Sequence, residues 1–449
     1  IVNSGEVTLN GGTFKRSAEK GTYSPNGNGG NSWYTIANYG TMEINTGVTV
    51  ENAGGYSSMI RNGGDVTADC NLTIEGGNFA GGINTVKNDS FGVLTINGGN
   101  FSNTAQYVIM NWNKAEITAG TFRTLDTASA VLFTSAYGGD ANTIGKLSIS
   151  GGEFKHASDT QEMIVDHYDE TNKGNAVVTG GKFDADISKY IPTDYVQSAD
   201  GTVEKLGETN AVAKVGGTYY KTLADAVAAA QDGDTITLLK DAELTSTLNL
   251  AKNITIDGQG KYTIKAANSF TVGSDNKTYC VLYVSGEVTL KDVTVNGNEK
   301  CRVIFCDKGK LTIDGATITN GKAPNFIGGV YMTSSASFEM KSGSITGNKN
   351  AKEYQNDEYL QYSSDLWIGA NANGALTAIN GGTIGNVFVN ANAWSASNPG
   401  SFTMNGGTVT NLYVEHDANY GATFKYNDGT IEHLYLSKEN GNGQSIEVT

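Results

Sequence analysis

LTINGGNF, residues 94–101, is the clearest copy of a motif that recurs along the chain. Its apolar residues Leu94 and Ile96 alternate with the polar Thr95, which is the period of a β-strand. The glycine pair that follows can adopt the positive φ angles of a sharp corner, and one large apolar residue, Phe101, comes soon after it. The motif therefore predicts a short strand, a corner and the start of a second strand.

Related copies run through both halves of the 449-residue sequence. In the first half they are VTLNGGTF (7–14), the degenerate MEINTGVTV (42–50), LTIEGGNF (72–79), AEITAGTF (115–122), LSISGGEF (147–154) and AVVTGGKF (176–183). In the second half they are VTLKDVTV (288–295), LTIDGATI (311–318), FEMKSGSI (338–345), TAINGGTI (377–384), FTMNGGTV (402–409) and FKYNDGTI (424–431). The residue after the corner is mostly Phe in the first series and Val or Ile in the second.

A third short strand follows several copies, with alternating apolar pairs such as Val387/Val389 and Leu412/Val414. Three short strands per repeat, joined by glycine corners, indicate an all-β solenoid, the right-handed parallel β-helix. A single coil cannot bury its apolar face or satisfy its backbone hydrogen bonds. Coils stacked about 4.8 Å apart do both.

The glycine pattern of the repeats is missing between residues 184 and 220, and this stretch divides the chain. We predict a first β-helix with a Phe-stacked core at 1–184, a cap or linker at 185–210, and a second β-helix at 211–449. Because the sequence opens at Ile1 in mid-pattern, we expect the first β-helix to be the C-terminal part of a longer array.

A short amphipathic helix is predicted at residues 222–231, at the start of the second β-helix. Thr222 and Asp225 have the spacing of a capping box, and Leu223, Ala226 and Val227 form an apolar stripe. Such a helix would cover the open end of a solenoid, where the core and the strand edges are otherwise exposed.

Polar residues directly before the corners predict ladders between neighbouring coils. The amides Asn10, Asn97, Asn380 and Asn405 share this slot. In other copies the slot alternates in charge, with Asp257, Lys291, Asp314 and Lys341. Both sets are interpreted as structural, because exposed ion pairs in such a ladder contribute little individually.

Composition excludes several classes of protein. There are 31 basic and 46 acidic residues, a formal net charge of −15, which repels nucleic acids. Only 4 prolines accompany 58 glycines, so the chain is neither collagen nor a proline-rich linker. No apolar run is long enough to insert into a membrane. Four cysteines are too few for a disulfide scaffold, although a Cys280–Cys301 bridge stays open.

One region carries a resemblance to a known family. The stretch GGTYYKTLADAVAAAQDGDTITLLKD (216–241), with FDADISKYI and ADGTVEKLGE before it and GGVYM and KSGSITGN after it, resembles modules of large surface proteins from Gram-positive gut bacteria. Those proteins carry pectin-lyase-like β-helix domains. The resemblance implies an extracellular, cell-surface location within a larger multidomain protein, and it implies no particular activity.

An outward-facing aromatic stripe is predicted on the third strand of the second β-helix. Its members lie at the centre of apolar-X-apolar triplets: Leu282, Phe305, Tyr331, Trp367, Phe388, Tyr413 and Tyr435. Exposed aromatic rings suit the C–H faces of sugars, so the stripe predicts binding of glycans or of host or surface proteins. The insertion KEYQNDEYLQYSSD (352–365) would add Tyr359 and Tyr362. Alternatively, aromatic residues simply favour strands, or this insertion covers the stripe.

A non-catalytic surface module, an adhesin or stalk, is the first functional prediction. The alternative is a glycoside hydrolase or polysaccharide lyase in which acidic residues of the insertion, Asp357, Glu358 and Asp365, supply the carboxylates. No nucleotide-binding or hydrolase motif is present, and no cofactor is expected. The run Asp166, Asp169, Glu170 and Asn172 could bind calcium, but a solvated loop is the simpler interpretation.

Overall fold

The computed structural model describes residues 1–16, 34–53, 57–125, 128–136, 143–167, 169, 171–323, 327–333, 335–356, 360–369, 377–390, 400–415 and 422–436. The chain divides into two compact units, Ile1–Leu206 and Gly207–Thr449. Both units consist mainly of β-strands with extensive parallel pairing, so the all-β class is confirmed. Within the described ranges, no helix has the length and hydropathy needed to cross a membrane.

The strands of the first unit are numbered along the chain. They are β1 (Val2–Asn3), β2 (Glu6–Arg16), β3 (Ile36–Asn38), β4 (Thr41–Asn52), β5 (Ile60–Asn62), β6 (Cys70–Ile74), β7 (Asn78–Gly81), β8 (Asn84–Asn88), β9 (Gly92–Ile96), β10 (Asn100–Asn103), β11 (Tyr107–Asn111), β12 (Lys114–Ile117), β13 (Thr121–Thr124), β14 (Ala130–Thr134), β15 (Lys146–Lys155), β16 (Glu162–Val165), β17 (Asn175–Phe183), β18 (Tyr195–Gln197) and β19 (Thr202–Lys205). A 3₁₀ turn lies at Ser188–Tyr190.

Most strands of the first unit pair in parallel with their counterparts one repeat later. Leu72 of β6 lies opposite Leu94 of β9, and Leu94 lies opposite Ala115 of β12. The corner between β9 and β10 requires glycine, because Gly99 has a φ of 109° and an added Cβ would lie 3.2 Å from the Gly77 carbonyl oxygen. The repeat motif therefore sets both the register and the corner.

A column of phenylalanine rings fills the core of the first unit, as predicted. Neighbouring centroids are 4.5 to 4.8 Å apart and the planes of neighbouring rings are nearly parallel. The stacked rings are Phe79, Phe101, Phe122, Phe154 and Phe183. Phe14 is separated from this stack, because the degenerate copy places Val50 between Phe14 and Phe79 in the register.

A different arrangement follows the last repeat of the first unit. β19 runs antiparallel to β17, and β18 runs antiparallel to β19. Ile187, Tyr190 and Val203 pack against the first core, and the Tyr190 hydroxyl donates a hydrogen bond to the Ile164 carbonyl oxygen at 2.7 Å. Much of the segment predicted as a cap or linker thus packs on the first unit.

The second unit contains one α-helix, α1 (Leu223–Ala229), in its described part. Its strands are β20 (Ala213–Val215), β21 (Thr218–Tyr220), β22 (Thr235–Leu238), β23 (Ala242–Leu244), β24 (Leu248–Leu250), β25 (Ile254–Asp257), β26 (Thr263–Ala266), β27 (Cys280–Val284), β28 (Glu287–Lys291), β29 (Thr294–Asn296), β30 (Arg302–Cys306), β31 (Gly309–Asp314), β32 (Thr317–Thr319), β33 (Val330–Met332), β34 (Ala336–Met340), β35 (Ser344–Ile345), β36 (Leu366–Ile368), β37 (Thr377–Ile379), β38 (Thr383–Val389), β39 (Ser401–Val414) and β40 (Thr423–Leu436). Two 3₁₀ turns lie at Lys352–Tyr354 and Leu360–Ser363.

Three series of parallel strands run through the second unit. The first passes through β25, β28, β31 and β34, and the second through β26, β29, β32 and β35. The third passes through β27, β30, β33 and β36. Each strand thus pairs with the third strand after it, so equivalent residues of successive repeats lie side by side.

Helix α1 is shorter than the predicted 222–231. The Thr222 hydroxyl oxygen accepts a hydrogen bond from the Asp225 backbone N–H at 3.0 Å, which confirms the cap. Leu223 is buried in the core of the second unit. At the other end of the helix, the Lys252 ammonium donates to the carbonyl oxygens of Ala228 and Ala230, at 2.7 and 2.5 Å.

The predicted surface ladders are present. The Asn405 amide donates to the Asn380 side-chain oxygen at 2.8 Å, and the Asn97 amide donates to Glu75 at 3.0 Å. In the charge ladder, Lys291 lies 2.8 Å from Asp257. A matching pair joins Lys341 and Asp314 at 3.8 Å, and the Asn10 oxygen accepts from the Asn45 amide at 3.0 Å.

Candidate functional site

The predicted aromatic stripe is present as one aligned column in the second unit. In the strand register its members lie opposite one another in the order Tyr283, Phe305, Tyr331, Trp367, Phe388, Tyr413 and Tyr435. The prediction that Leu282 is the first member of the stripe is wrong. Leu282 pairs with Ile304 and belongs to the hydrophobic core, and Tyr283 takes the place in the column.

The rings of this aromatic column contact one another. Trp367 and Phe388 stack with centroids 4.4 Å apart and an interplanar angle of 1°, and Tyr413 continues the stack 4.9 Å from Phe388. Tyr331 meets the edge of Trp367 at 6.3 Å, and Phe305 meets Tyr331 at 5.2 Å. Trp367, Phe388 and Tyr413 form a hydrophobic cluster separate from the main core, and Tyr331 packs against it.

The middle of the aromatic column is covered. Leu360 and Tyr362 of the insertion pack against it, together with Ile327. The Tyr362 ring stacks on Tyr435 and on Tyr413, with centroids 4.2 and 6.0 Å away. Four rings of the column are buried, with exposures of 7% for Trp367, 1% for Phe388, 4% for Tyr413 and 4% for Phe305.

The prediction of an exposed stripe is therefore wrong for these four rings, whereas Tyr331 and Tyr435 remain partly exposed. The packing of Leu360 and Tyr362 agrees with the alternative that the insertion covers the stripe. Apart from Leu282, periodicity identifies which residues leave the main core, but it does not decide whether a segment folds back over them. Tyr359, the other predicted contact in the insertion, lies outside the described residues.

Asp365, a predicted catalytic candidate, is enclosed and fully engaged. One carboxylate oxygen accepts from the Asn348 backbone N–H at 3.1 Å and from its amide at 2.8 Å. The other accepts from the Asn386 N–H at 2.9 Å and from the Ser364 hydroxyl at 3.4 Å. Burial raises the pKa of Asp365, although these four donors favour its ionised form. The carboxylate joins neighbouring segments and is 3% exposed.

The rest of the predicted catalytic set cannot be placed beside Asp365. Asp357 and Glu358 lie outside the described residues. Arg302, the one arginine near the column, is itself fully buried. Its Nε donates to the Ile327 carbonyl oxygen at 3.1 Å, and its guanidinium lies 5.0 Å from the Tyr331 ring centroid. Burial lowers the pKa of Arg302.

The cysteines are buried thiols. All four are free, so the structure contains no Cys280–Cys301 bridge. Cys301 belongs to the main hydrophobic core. Burial raises the pKa of Cys280, Cys301 and Cys306 to about 12, which makes each of them a poor nucleophile.

The acidic run considered for calcium organises its own turn. The Asp169 carboxylate accepts hydrogen bonds from the backbone N–H groups of Thr171 and Asn172, at 2.9 and 3.0 Å, and from both side chains. These hydrogen bonds lower the pKa of Asp169 to about 2. The Asp169 carboxylate is thus hydrogen-bonded within its own turn, as expected of a solvated loop. Glu170 lies outside the described residues.

A buried polar ladder in the first unit was missed by sequence reasoning. The amide of Asn38 donates to Asn62, Asn62 to Asn88 and Asn88 to Asn111, with distances of 2.8, 2.9 and 2.8 Å. The ladder starts at Asn3 and ends at the Thr134 hydroxyl. Its signal is an Asn at the end of each strand of the β3, β5, β8 and β11 series, where loops of unequal length obscure the period.

No protein-family model matches the chain, and no curated protein sequence matches it.

Proposed function

We propose that the chain is a non-catalytic module of an extracellular, cell-surface protein, acting as a stalk that carries other parts of that protein. The observation that carries this proposal is that the aromatic rings and the carboxylate predicted to bind or react with a ligand are buried and contact other residues of the fold. Trp367, Phe388 and Tyr413 are buried in a hydrophobic cluster against which Leu360 and Tyr362 pack. The Asp365 carboxylate is saturated with donors. Side chains engaged in this way stabilise a scaffold.

The finer fold in this proposal is a right-handed parallel β-helix in each unit. It is supported by the pairing of each strand with its counterpart one repeat later, and by columns of like residues such as the Phe stack. Stacked coils satisfy their backbone groups through their neighbours, so the array can be rigid without a large globular core. Rigidity of this kind suits a spacer between a cell wall and its surroundings.

The surface location, the gut-bacterial source and the pectin-lyase-like relationship rest on the resemblance of residues 216–241. Glycans or host surface proteins remain the proposed partners. Trp367 and Phe388 are buried, so a ligand could stack on them only if the residues packed around their cluster moved away. No contact observed in the described residues favours the alternative of a hydrolase or lyase.

Substitution of Trp367 tests whether the aromatic column is packing or a binding platform. Trp367→Ala removes a large buried ring, so it should lower the free energy of unfolding by about 3–5 kcal/mol. If the folded wild type binds any glycan on an array, the folded variant should bind the same glycan equally well. Loss of glycan binding with unchanged stability would contradict the scaffold role. A matched control is Tyr283→Ala at the less covered end of the column.

An assay for reducing-sugar release tests the catalytic alternative. We expect no release from plant or mucin polysaccharides by the wild type. Release that is abolished by Asp365→Asn, in a variant that remains folded, would overturn the non-catalytic proposal.

A further inference from the structure

Asparagine–glycine pairs stand at the corners of several repeats, directly before the turn. Two of them, Asn10–Gly11 and Asn97–Gly98, lie in the first unit and share the sequence Asn-Gly-Gly. The carbonyl carbon of an asparagine side chain can be attacked by the backbone nitrogen of the following residue, and glycine hinders this attack least because it has no Cβ. Since the two pairs have the same local sequence, a difference in their reactivity must come from their surroundings.

The side chain of Asn97 is held at both ends. Its amide nitrogen donates to a Glu75 carboxylate oxygen at 3.0 Å, and its oxygen accepts from the Thr118 hydroxyl at 2.9 Å. The backbone beside it is confined, because a Cβ added at Gly98 would lie 2.7 Å from the Glu75 carbonyl oxygen. Movement of the Asn97 side chain toward the Gly98 nitrogen would break these hydrogen bonds.

The side chain of Asn10 is held at one end. Its oxygen accepts from the Asn45 amide at 3.0 Å, whereas its own amide nitrogen makes no hydrogen bond within the described residues. Asn10 and Gly11 are both exposed. For a Cβ added at Gly11, the nearest atom outside its chain neighbours, the Gly47 carbonyl oxygen, would lie 3.5 Å away. The corner therefore leaves room for the side chain and the backbone to approach each other.

The hydrogen bond from Asn45 also favours attack at Asn10. The attack places negative charge on the side-chain oxygen, and the Asn45 amide already donates to that oxygen. A donor positioned where charge develops stabilises the transition state. The Thr118 hydroxyl offers the same stabilisation at Asn97, so the amide nitrogen without a partner is what distinguishes Asn10.

We propose that Asn10 is a site of spontaneous deamidation, at which the chain modifies its own backbone. The Gly11 nitrogen attacks the Asn10 Cγ atom, the new C–N bond closes a five-membered succinimide ring, and the bond from Cγ to the amide nitrogen breaks. The proton of the Gly11 N–H leaves with that nitrogen as ammonia. Water then opens the ring at either carbonyl group, which leaves aspartate or isoaspartate at this position.

Isoaspartate at this site would change the pairing of β2. Its linkage inserts one methylene group into the backbone before Gly11, while Gly11 and Phe14 lie opposite Gly47 and Val50 of β4. The extra atom shifts the second half of β2 out of this register. The new carboxylate also places a negative charge beside the Asn45 amide. We therefore expect the amides after Gly11 in β2 to exchange hydrogen faster in the modified chain.

Peptide mapping of the whole folded chain, after incubation at mildly alkaline pH, tests the proposal. Trypsin places the two asparagines in different peptides, residues 1–15 and 88–114, and mass spectrometry measures the deamidation of each. We expect Asn10 to react about tenfold faster than Asn97 or more, since only Asn97 must break a hydrogen bond from its amide nitrogen to a charged group. In urea the two rates should become similar, because the fold no longer separates them.

Gly11→Ala tests the mechanism. The added Cβ fits at an ordinary contact distance, so β2 should be retained, but it hinders attack by the backbone nitrogen and should slow deamidation of Asn10 severalfold. Gly5→Ala is the matched control, because a Cβ added at Gly5 meets no atom within 4 Å and Gly5 takes no part in the reaction. It should leave the rate at Asn10 unchanged.

Three results would overturn the proposal. The first is deamidation of Asn97 as fast as that of Asn10 in the folded chain. The second is an Asn10 that stays intact in the folded chain while it reacts in urea. The third is a Gly11→Ala variant that deamidates at the wild-type rate, or a control that slows the reaction as much.

Discussion

Asn88 shows how one residue can join three repeats. Its side-chain oxygen accepts from Asn62, and its amide donates to the Asn111 oxygen and to the Lys114 carbonyl oxygen. It is completely buried. A buried amide in this position both satisfies its neighbours and fixes the register, because a shift by one residue would leave unpaired polar groups in the core.

Asn88→Ala should lower the free energy of unfolding by about 1–3 kcal/mol, since it leaves buried partners of Asn88 unsatisfied. The measurement is urea denaturation followed by circular dichroism. Asn100→Ala is the control, because Asn100 is exposed and donates one amide bond to Asn78. The control should change stability by less than about 0.5 kcal/mol. Equal losses in the two variants would contradict the structural role of the buried ladder.

The titration of Asp365 makes the free energy of unfolding depend on pH. The pKa of Asp365 is raised in the folded chain, so the folded chain binds the carboxyl proton more tightly than the unfolded chain does. In the unfolded chain the pKa of an aspartate is about 3.9. Folding therefore takes up a proton between the unfolded and the folded pKa, and the contribution of this group to stability falls as the pH rises through that window.

Asp365→Asn removes this titration. The stability advantage of the wild type over the variant should shrink as the pH is raised from about 3.5 to 7, and it should then level off. Urea titrations of both proteins across this range measure the difference. A wild-type advantage that grows with pH would show that the folded-state pKa is lowered instead.

Among the elements, helix α1 depends on a residue distant in sequence. The Lys252 ammonium donates to carbonyl oxygens of Val227, Ala228 and Ala230 at the C-terminal end of α1. Carbonyl groups at this end of a helix have no partner within the helix, and a cation there also opposes the negative end of the helix dipole. Lys252 thereby fixes the helix over the core.

Lys252→Met should destabilise the second unit by about 1–2 kcal/mol, because the helix loses its charged cap. Hydrogen exchange read by mass spectrometry should show that the α1 amides exchange faster in the variant than in the wild type. Exchange in the first unit should be the same in both proteins. Lys300→Met is the control, since Lys300 is exposed and its side chain makes no hydrogen bond or ion pair within the described residues. Unchanged exchange in Lys252→Met would show that the cap does not hold the helix.

Strand and corner elements could be predicted from the sequence, whereas the cover over the aromatic column could only be stated as one alternative to an exposed stripe. Alternation and glycine pairs report local backbone geometry, so the strands around Leu94 and the cap at Thr222 follow from neighbouring residues. The packing of Tyr362 on Tyr435 joins residues far apart in the sequence. Leu282 was misplaced for a related reason: Val281 and Leu282 are consecutive and both buried in the core, which breaks the alternation there.

At the scale of the whole molecule, the sequence predicts an all-β chain of repeats, and the structure places equivalent residues of successive repeats on adjacent strands. The central claim is that this stacking continues through each unit. In the second unit, a single row leads from Thr255 through Thr289, Thr312, Glu339 and Ala378 to Thr403 and Lys425.

Pulsed electron paramagnetic resonance between spin labels in this row tests the stacking most directly. Labels at Thr255→Cys and Thr403→Cys are five strand spacings apart, which predicts a distance of about 24 Å between their backbones. The native cysteines are buried and should label slowly. Moving the second label to Lys425→Cys should lengthen the distance by about 5 Å, one further strand spacing. A distance that does not increase, or a broad distribution for either pair, would contradict the stacked arrangement.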